Sequence, residues 1–211
     1  MRTLLPVIFA CGILPSVTLA QEVEFSFGAL IASDYISDGE SLSGDKPVLQ
    51  GYVELQYGRV YVGVWASTLD DGTDTAEADV TIGYRQSIGD VDIDINYART
   101  IYDKSGDCCG EFAIYAEYPL TDDATLGGGI SFDTISDETS VDLAAAVDFA
   151  EAWTISGGVG ADFDATEEDE DSVSWDIGLI RSFGENSWGD IRFFDSSIES
   201  SHVIVSVGFD F

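Results

Sequence analysis

Apolar and polar residues alternate one by one along most of this chain. The last segment shows the pattern cleanly. Val203, Val205, Val207, Phe209 and Phe211 share one side, and His202, Ile204, Ser206, Gly208 and Asp210 share the other. Side chains on a strand alternate sides, so a period of two predicts strands with one greasy and one polar face. The same reading over residues 76–86 sets Ala78, Val80, Ile82 and Tyr84 against Glu77, Asp79, Thr81, Gly83 and Arg85. Residues 90–99 set Val91, Ile93, Ile95 and Tyr97 against Asp90, Asp92, Asp94 and Asn96. Residues 140–149 and 153–164 repeat the pattern. Further strands are predicted near 23–33, 47–57, 59–69, 111–119, 125–133, 172–182 and 187–195, about a dozen with 202–211.

The connections have a rhythm of their own. Long polar loops are predicted at 34–46, 70–75, 103–110, 134–139 and 165–171. Tight turns alternate with them at Gly58, 88–89, 120–124 and 150–152, and only the last two hairpins (184–186 and 196–201) are alike in length. In transmembrane barrels short turns face the periplasm and longer loops face outside, while an apolar belt meets lipid. The opposite face here is dense in Asp, Glu, Ser, Thr and Gly, as a wet lumen requires and a sandwich core does not. Tyr35, Tyr57, Tyr84, Trp65, Tyr97, Trp153, Trp175, Trp188 and Phe211 lie mostly near strand ends or on greasy faces, consistent with interfacial girdles. The predicted fold is all-β: a transmembrane, antiparallel, up-and-down β-barrel of about 12 strands.

The first residues read as a secretory signal, 1–20. Arg2 precedes an apolar run over 4–14, interrupted by Pro6 and Pro15, and Thr18-Leu19-Ala20 offers small residues for cleavage before Gln21. A lipoprotein reading of Cys11 is disfavoured because apolar sequence continues to Leu19. No stretch is long enough for a membrane-spanning helix, so any span must be built from strands. A single barrel domain over 21–211 follows.

Charge narrows the function. Eight basic and 40 acidic residues give −32, or −33 once Arg2 is lost with the signal. Such a surface excludes nucleic acid as a partner. Much of the charge fits a salty habitat; a cation-favouring lumen needs only part of it. The inward candidates are Asp79, Arg85, Asp90, Asp92, Asp94, Glu111, Glu117, Asp142, Asp148 and Asp176, since rings of acidic side chains bias a pore toward cations. Arg59, Arg85, Arg99, Arg181 and Arg192 are the cations on offer to pair with them, and a paired network plugs a small barrel as readily as it lines one.

Segments of the chain resemble the TorF-type outer-membrane porins. The motifs are Ser33-Asp34-Tyr35, then Gly39 and Ser41, then Gly44-Asp45-Lys46-Pro47-Val48-Leu49-Gln50-Gly51, followed by Tyr61-Val62-Gly63-Val64-Trp65-Ala66-Ser67. The match covers about residues 25–70 and is looser beyond. One departure is Asp38, which stands where that family often has Arg before the loop glycine. The resemblance implies a Gram-negative outer-membrane barrel with porin activity, no catalytic residue and no defined substrate. It fits Phe209 and Phe211 as a C-terminal signal read by the barrel assembly machinery, with outer-membrane lipid and small solutes as the other partners.

Three features carry other chemistry. Cys108 and Cys109 are neighbours in the 103–110 loop, open to a vicinal disulfide, to free or intermolecular thiols, or to a metal or redox role. Two thiolates alone are too few for a dedicated zinc site. His202, the sole histidine, reads as a polar rim residue; no motif pairs it with Ser172, Ser174 or Ser201 as a nucleophile. The run Glu167-Glu168-Asp169-Glu170-Asp171, behind Asp162 and Asp164, is a solvated loop or a weak Ca²⁺ binder. No enzyme and no cofactor are predicted. The expected activity is passive diffusion of small cationic or neutral solutes through a narrow acidic lumen; the alternative is a plugged barrel with a structural or surface role. No feature fixes an oligomeric state.

Overall fold

The computed structural model describes residues 23–37, 39–163 and 171–211. The signal segment with Cys11, Asp38, Asp164 and residues 167–170 lie outside the described residues. Among the described residues, twelve antiparallel strands close into a barrel. They are β1 (Val23–Ala32), β4 (Val48–Tyr57), β5 (Val60–Thr68), β6 (Ala76–Ile88), β7 (Val91–Tyr102), β8 (Gly106–Thr121), β9 (Ala124–Asp133), β10 (Thr139–Ala150), β11 (Trp153–Phe163), β12 (Ser172–Ser182), β13 (Ser187–Ser196) and β14 (His202–Asp210). Two further strands, β2 (Ile36–Ser37) and β3 (Glu40–Ser41), pair with each other inside the first long loop.

Each strand pairs with its sequence neighbour, and β1 closes the ring on β14. At the seam Phe27 and Phe211 exchange backbone hydrogen bonds of 2.9 and 2.8 Å, and their rings stack with centroids 5.2 Å apart. Alternation sorts the faces as predicted. Phe25, Val53, Val62, Ile82, Ile114, Leu143, Val159, Ile177, Ile191 and Val205 all stand exposed on the outside. A soluble monomer rarely exposes so large a contiguous apolar surface. No described helix is long and apolar enough to cross a membrane.

Two predicted boundaries change materially. The loop expected at 103–110 shrinks to 103–105, because β7 and β8 continue their ladder through Tyr102 opposite Gly106. Cys108 and Cys109 are therefore in strand β8, not in a loop. Pairing runs Thr100 to Cys109 and then Ile101 to Asp107, which leaves Cys108 as the extra residue of a β-bulge. The two sulfurs are joined in a disulfide. The second change is the loop expected at 34–46, whose described residues are not a solvated polar connection but a folded element with buried side chains of its own.

Candidate functional site

The inner face carries most of the polar positions expected there. Asp79, Arg85, Asp92, Asp94, Glu111, Glu117, Asp142, Asp148 and Asp176 occupy inward positions, opposite in phase to the exposed apolar belt. Asp90 does not. It falls in the tight turn between β6 and β7 and is exposed there, because the ladder begins at Val91 opposite Ile88.

Arginines divide by phase. Arg99 pairs across the ladder with Val80 and Arg181 with Trp153, which puts both on the outer face. Arg181 lies 5.0 Å from the Trp153 ring centre, and Arg59 donates to Tyr84 Oη at 3.1 Å on the same outer rim. Only Arg85 and Arg192, among the described residues, carry positive charge onto the inner wall from the strands. They sit on nearly opposite sides of the ring, on β6 and β13.

Each is tied down along the wall. Arg85 forks onto Glu54, with Nη1 to Oε1 at 2.5 Å and Nη2 to Oε2 at 2.9 Å, and its Nε donates to Asp94 at 2.8 Å. Its guanidinium covers the Tyr61 ring at 3.8 Å, and Tyr61 in turn donates to Asp94 at 2.9 Å. Arg192 pairs with Asp176, donates from Nε to Asp190 at 2.9 Å and from Nη2 to Ser156 Oγ at 2.7 Å. Glu54, Tyr61, Ser156 and Asp190 are not among the inward candidates named from sequence, although each follows from the same alternation.

Glycines decide that these side chains lie flat. A methyl group at position 178 would stand 2.6 Å from the Arg192 guanidinium carbon, and one at position 83 would collide with the Tyr61 ring. The missing side chains leave grooves on the neighbouring strands that take the bulky groups out of the lumen. Between the two arginine clusters, strands β8 to β11 present Glu117, Glu111, Asp133, Asp142, Asp148 and Asp162 inward with no described strand cation among them. Hydroxyls answer three of them: Ser131 donates to Glu111 at 3.0 Å, Thr154 to Asp148 at 2.5 Å and Ser172 to Asp162 at 2.9 Å. The result is an acidic arc on one side of the wall.

The loop end is closed differently. Tyr35, Ile36 and Leu42 from the first loop are buried in a cluster with Ala32, Val48, Leu69, Tyr102 and Ile204, and Leu30, Trp65 and Phe194 pack against it. Leu30, Trp65, Phe194 and Ile204 occupy inward positions, so the inner wall is apolar here and not polar as the sequence suggested. Trp65 leaves the predicted girdle here and packs edge-on to Tyr35 at 5.6 Å; at the opposite, turn end Trp188 also turns inward and donates to Asp210 at 2.6 Å. Three apolar side chains in a short loop have one dry destination, the mouth of the barrel. The far tip is anchored as well, since Ser196 Oγ donates to Gly39 O at 3.2 Å and Ser41 N–H donates to Glu199 at 2.8 Å. Most of the residues behind the TorF-type resemblance are this loop and the β4–β5 wall beneath it.

Carboxylates also clasp the other loops. Asp103 accepts from Thr75 N–H at 2.8 Å, Thr75 Oγ1 at 2.7 Å and Ala76 N–H at 3.2 Å. Those donors, the Thr75 amide foremost, hold its carboxyl down at about 2. Asp74 accepts from the Lys104 and Ser105 amides, each at 2.9 Å, and from the Ser105 hydroxyl, which lowers its pKa most. Lys46 pairs with Asp70, whose pKa it lowers through a hydrogen bond, tying the first loop to the second. His202 stands at the loop end of β14, facing Asp45 at 3.3 Å and Asp34 at 3.7 Å.

The sequence matches, over residues 17–207, the family model described as a bacterial protein of unknown function (Gcw_chp). The chain belongs to this family. A comparison with curated proteins returns no match. Solved structures do resemble the fold. The KdgM porin aligns with a TM-score of 0.66 at 10% identity, covering 88% of this chain and 98% of that one. The KdgM porin in complex with disordered oligogalacturonate gives 0.62 at 10% identity, over 88% and 98% of the two chains. A NanC porin structure gives 0.63 at 8% identity, over 89% and 99%. At such identities the likeness establishes the architecture: this Gcw_chp member has a 12-stranded barrel of the KdgM and NanC kind.

Proposed function

We propose that this chain is an outer-membrane porin of a Gram-negative bacterium, passing small cationic or neutral solutes by passive diffusion. The acidic arc on β8–β11 carries the reading. Carboxylates facing a confined aqueous path raise the local concentration of cations and repel anions. The outer belt supports insertion in lipid, with short turns toward the periplasm and the folded loop toward the exterior. Residues 21–211 form the single barrel domain after removal of a signal segment, and Phe209 and Phe211 serve the assembly machinery as a C-terminal signal. The loop motifs favour a place among the TorF-type porins.

An oligogalacturonate is a polyanion, and this wall opposes such a solute. Arg85 and Arg192 are each saturated by carboxylates, so they offer little to an anion. The solved neighbours of the fold are porins, which supports passage over a sealed scaffold. The folded loop then acts as a constriction at the mouth, and the glycine grooves keep the path below it clear. Liposome swelling tests this directly. Vesicles holding the protein should admit small neutral sugars and cationic amino acids faster than anionic sugars of similar size; equal exclusion of all of them would refute passage.

A further inference from the structure

The meeting of the folded loop with β14 has the chemistry of a metal site. We propose that His202, Asp34 and Asp45 bind a zinc-class divalent cation that staples the first loop to the last strand. The donor atoms of the three residues lie within 4.8 Å of one another. His202 Nδ1 is 3.3 Å from Asp45 Oδ1 and 3.7 Å from Asp34 Oδ2. Both separations are long for a hydrogen bond, which runs at about 2.7–3.2 Å. The nearer suits two donors sharing one ion and the farther is within about 0.1 Å of doing so, because metal–ligand bonds of about 2.0–2.2 Å at tetrahedral angles separate the ligands by roughly 3.3–3.6 Å.

The residue that decides the matter is Asp34. It is 5% exposed, and its Oδ2 has no hydrogen-bond partner. A buried, unanswered carboxylate oxygen is costly unless something cationic meets it. Its other oxygen, Oδ1, is fixed by three donors: Tyr35 N–H at 2.8 Å, Ser41 Oγ at 2.8 Å and Ser43 Oγ at 2.5 Å. The carboxylate is thus held with Oδ2 aimed at the imidazole. On the far side of the ring, Nε2 also lacks a hydrogen-bond partner and faces Glu199 Oε2 at 3.6 Å. A metal-ligating histidine commonly turns its other N–H to a carboxylate, which sets the tautomer and raises ligand basicity. Glu199 fills that position.

One nitrogen and two carboxylate oxygens, with water completing the shell, match a zinc-class ion. They do not match Ca²⁺, which takes six to eight oxygens. The ligands come from both ends of the chain, so the ion would hold the loop in the mouth. This inference stands apart from passage of solutes, since binding is measurable whether or not the barrel conducts.

The test is calorimetric titration of Zn²⁺ into the refolded full chain in detergent, stripped with EDTA and held in millimolar Ca²⁺ to occupy unspecific carboxylates. The expected result is one saturable equivalent, with affinity reduced at least about tenfold in both H202Q and D45N. Asp45 is 79% exposed in its side chain, so D45N leaves the fold intact and keeps the test decisive if H202Q misfolds. No saturable binding, or an affinity unchanged by D45N, overturns the proposal.

Discussion

Truncating Ile36 and Leu42 together should release the first loop from the mouth while leaving the barrel whole. Both side chains are nearly dry, at 7% and 5% exposure, in a cluster that includes Val48, Tyr102 and Ile204. Ile or Leu to Ala in a core costs roughly 2–5 kcal/mol, the spread reflecting how far the site relaxes. The low end applies here, because water at a barrel mouth fills what the side chains leave. Two such losses come to about 4 kcal/mol, which is nearly a thousandfold in the docking equilibrium at about 1.4 kcal/mol per tenfold. The loop is a local element, so the effect belongs to local opening and not to global unfolding. Hydrogen exchange reads it directly. Leu42 N–H donates to Tyr35 O at 2.8 Å, and Asp70 N–H donates to Leu42 O at 3.0 Å. Both amides should exchange roughly a thousandfold faster in I36A/L42A, while β9 and β10 amides keep their rates. Unchanged exchange at Leu42 would show that the apolar cluster does not hold the loop. Equal acceleration in β9 and β10 would show that loop and barrel are one cooperative unit.

Other consequences are narrower. Gly178→Ala should lift Arg192 off its groove and lower single-channel conductance severalfold, with little change from Gly127→Ala, where the nearest atom is 3.6 Å away. Arg192→Met leaves Asp176 and Asp190 facing each other without a cation, and should cost about 3 kcal/mol, the low end for breaking a buried pair, in urea unfolding from lipid vesicles; adding Asp176→Asn and Asp190→Asn should restore most of it. The clasp between the second and third loops is acid-sensitive in a defined direction. Because the Asp103 pKa is lowered, its contribution is complete above the ordinary aspartate range near 4 and is lost as pH falls through about 2. Amides at Thr75 and Ala76 should therefore stay protected at pH 5 and open toward pH 2, whereas Asp103→Asn should expose them throughout; protection that survives at pH 2 would contradict the assignment.

The barrel was legible because its rule is local. A period of two decides the face of each side chain without knowledge of its neighbours, and β12 begins and ends where Ser172 and Ser182 predict. The same phase placed Asp79, Asp94 and Asp142 inward, and it would have sorted Arg99 and Arg181 outward had the arginines been read strand by strand. Asp90 failed at a strand end, where one residue separates ladder from turn. The first loop was opaque for another reason. Tyr35, Ile36 and Leu42 form no period, and their destination is a surface assembled from β1, β4, β5, β7, β13 and β14. No short-range pattern encodes such a meeting. Cys108 was missed as a strand residue because a bulge adds one position that alternation does not count.

Charge selectivity tests the acidic pore most directly. With the protein in a planar bilayer between dilute and concentrated KCl, the reversal potential reports the ratio of K⁺ to Cl⁻ passage. The acidic arc predicts step conductances with a clear preference for K⁺, reduced when Asp142 and Glu111 are both changed to their amides. Absence of conductance, or a preference for Cl⁻, would contradict it.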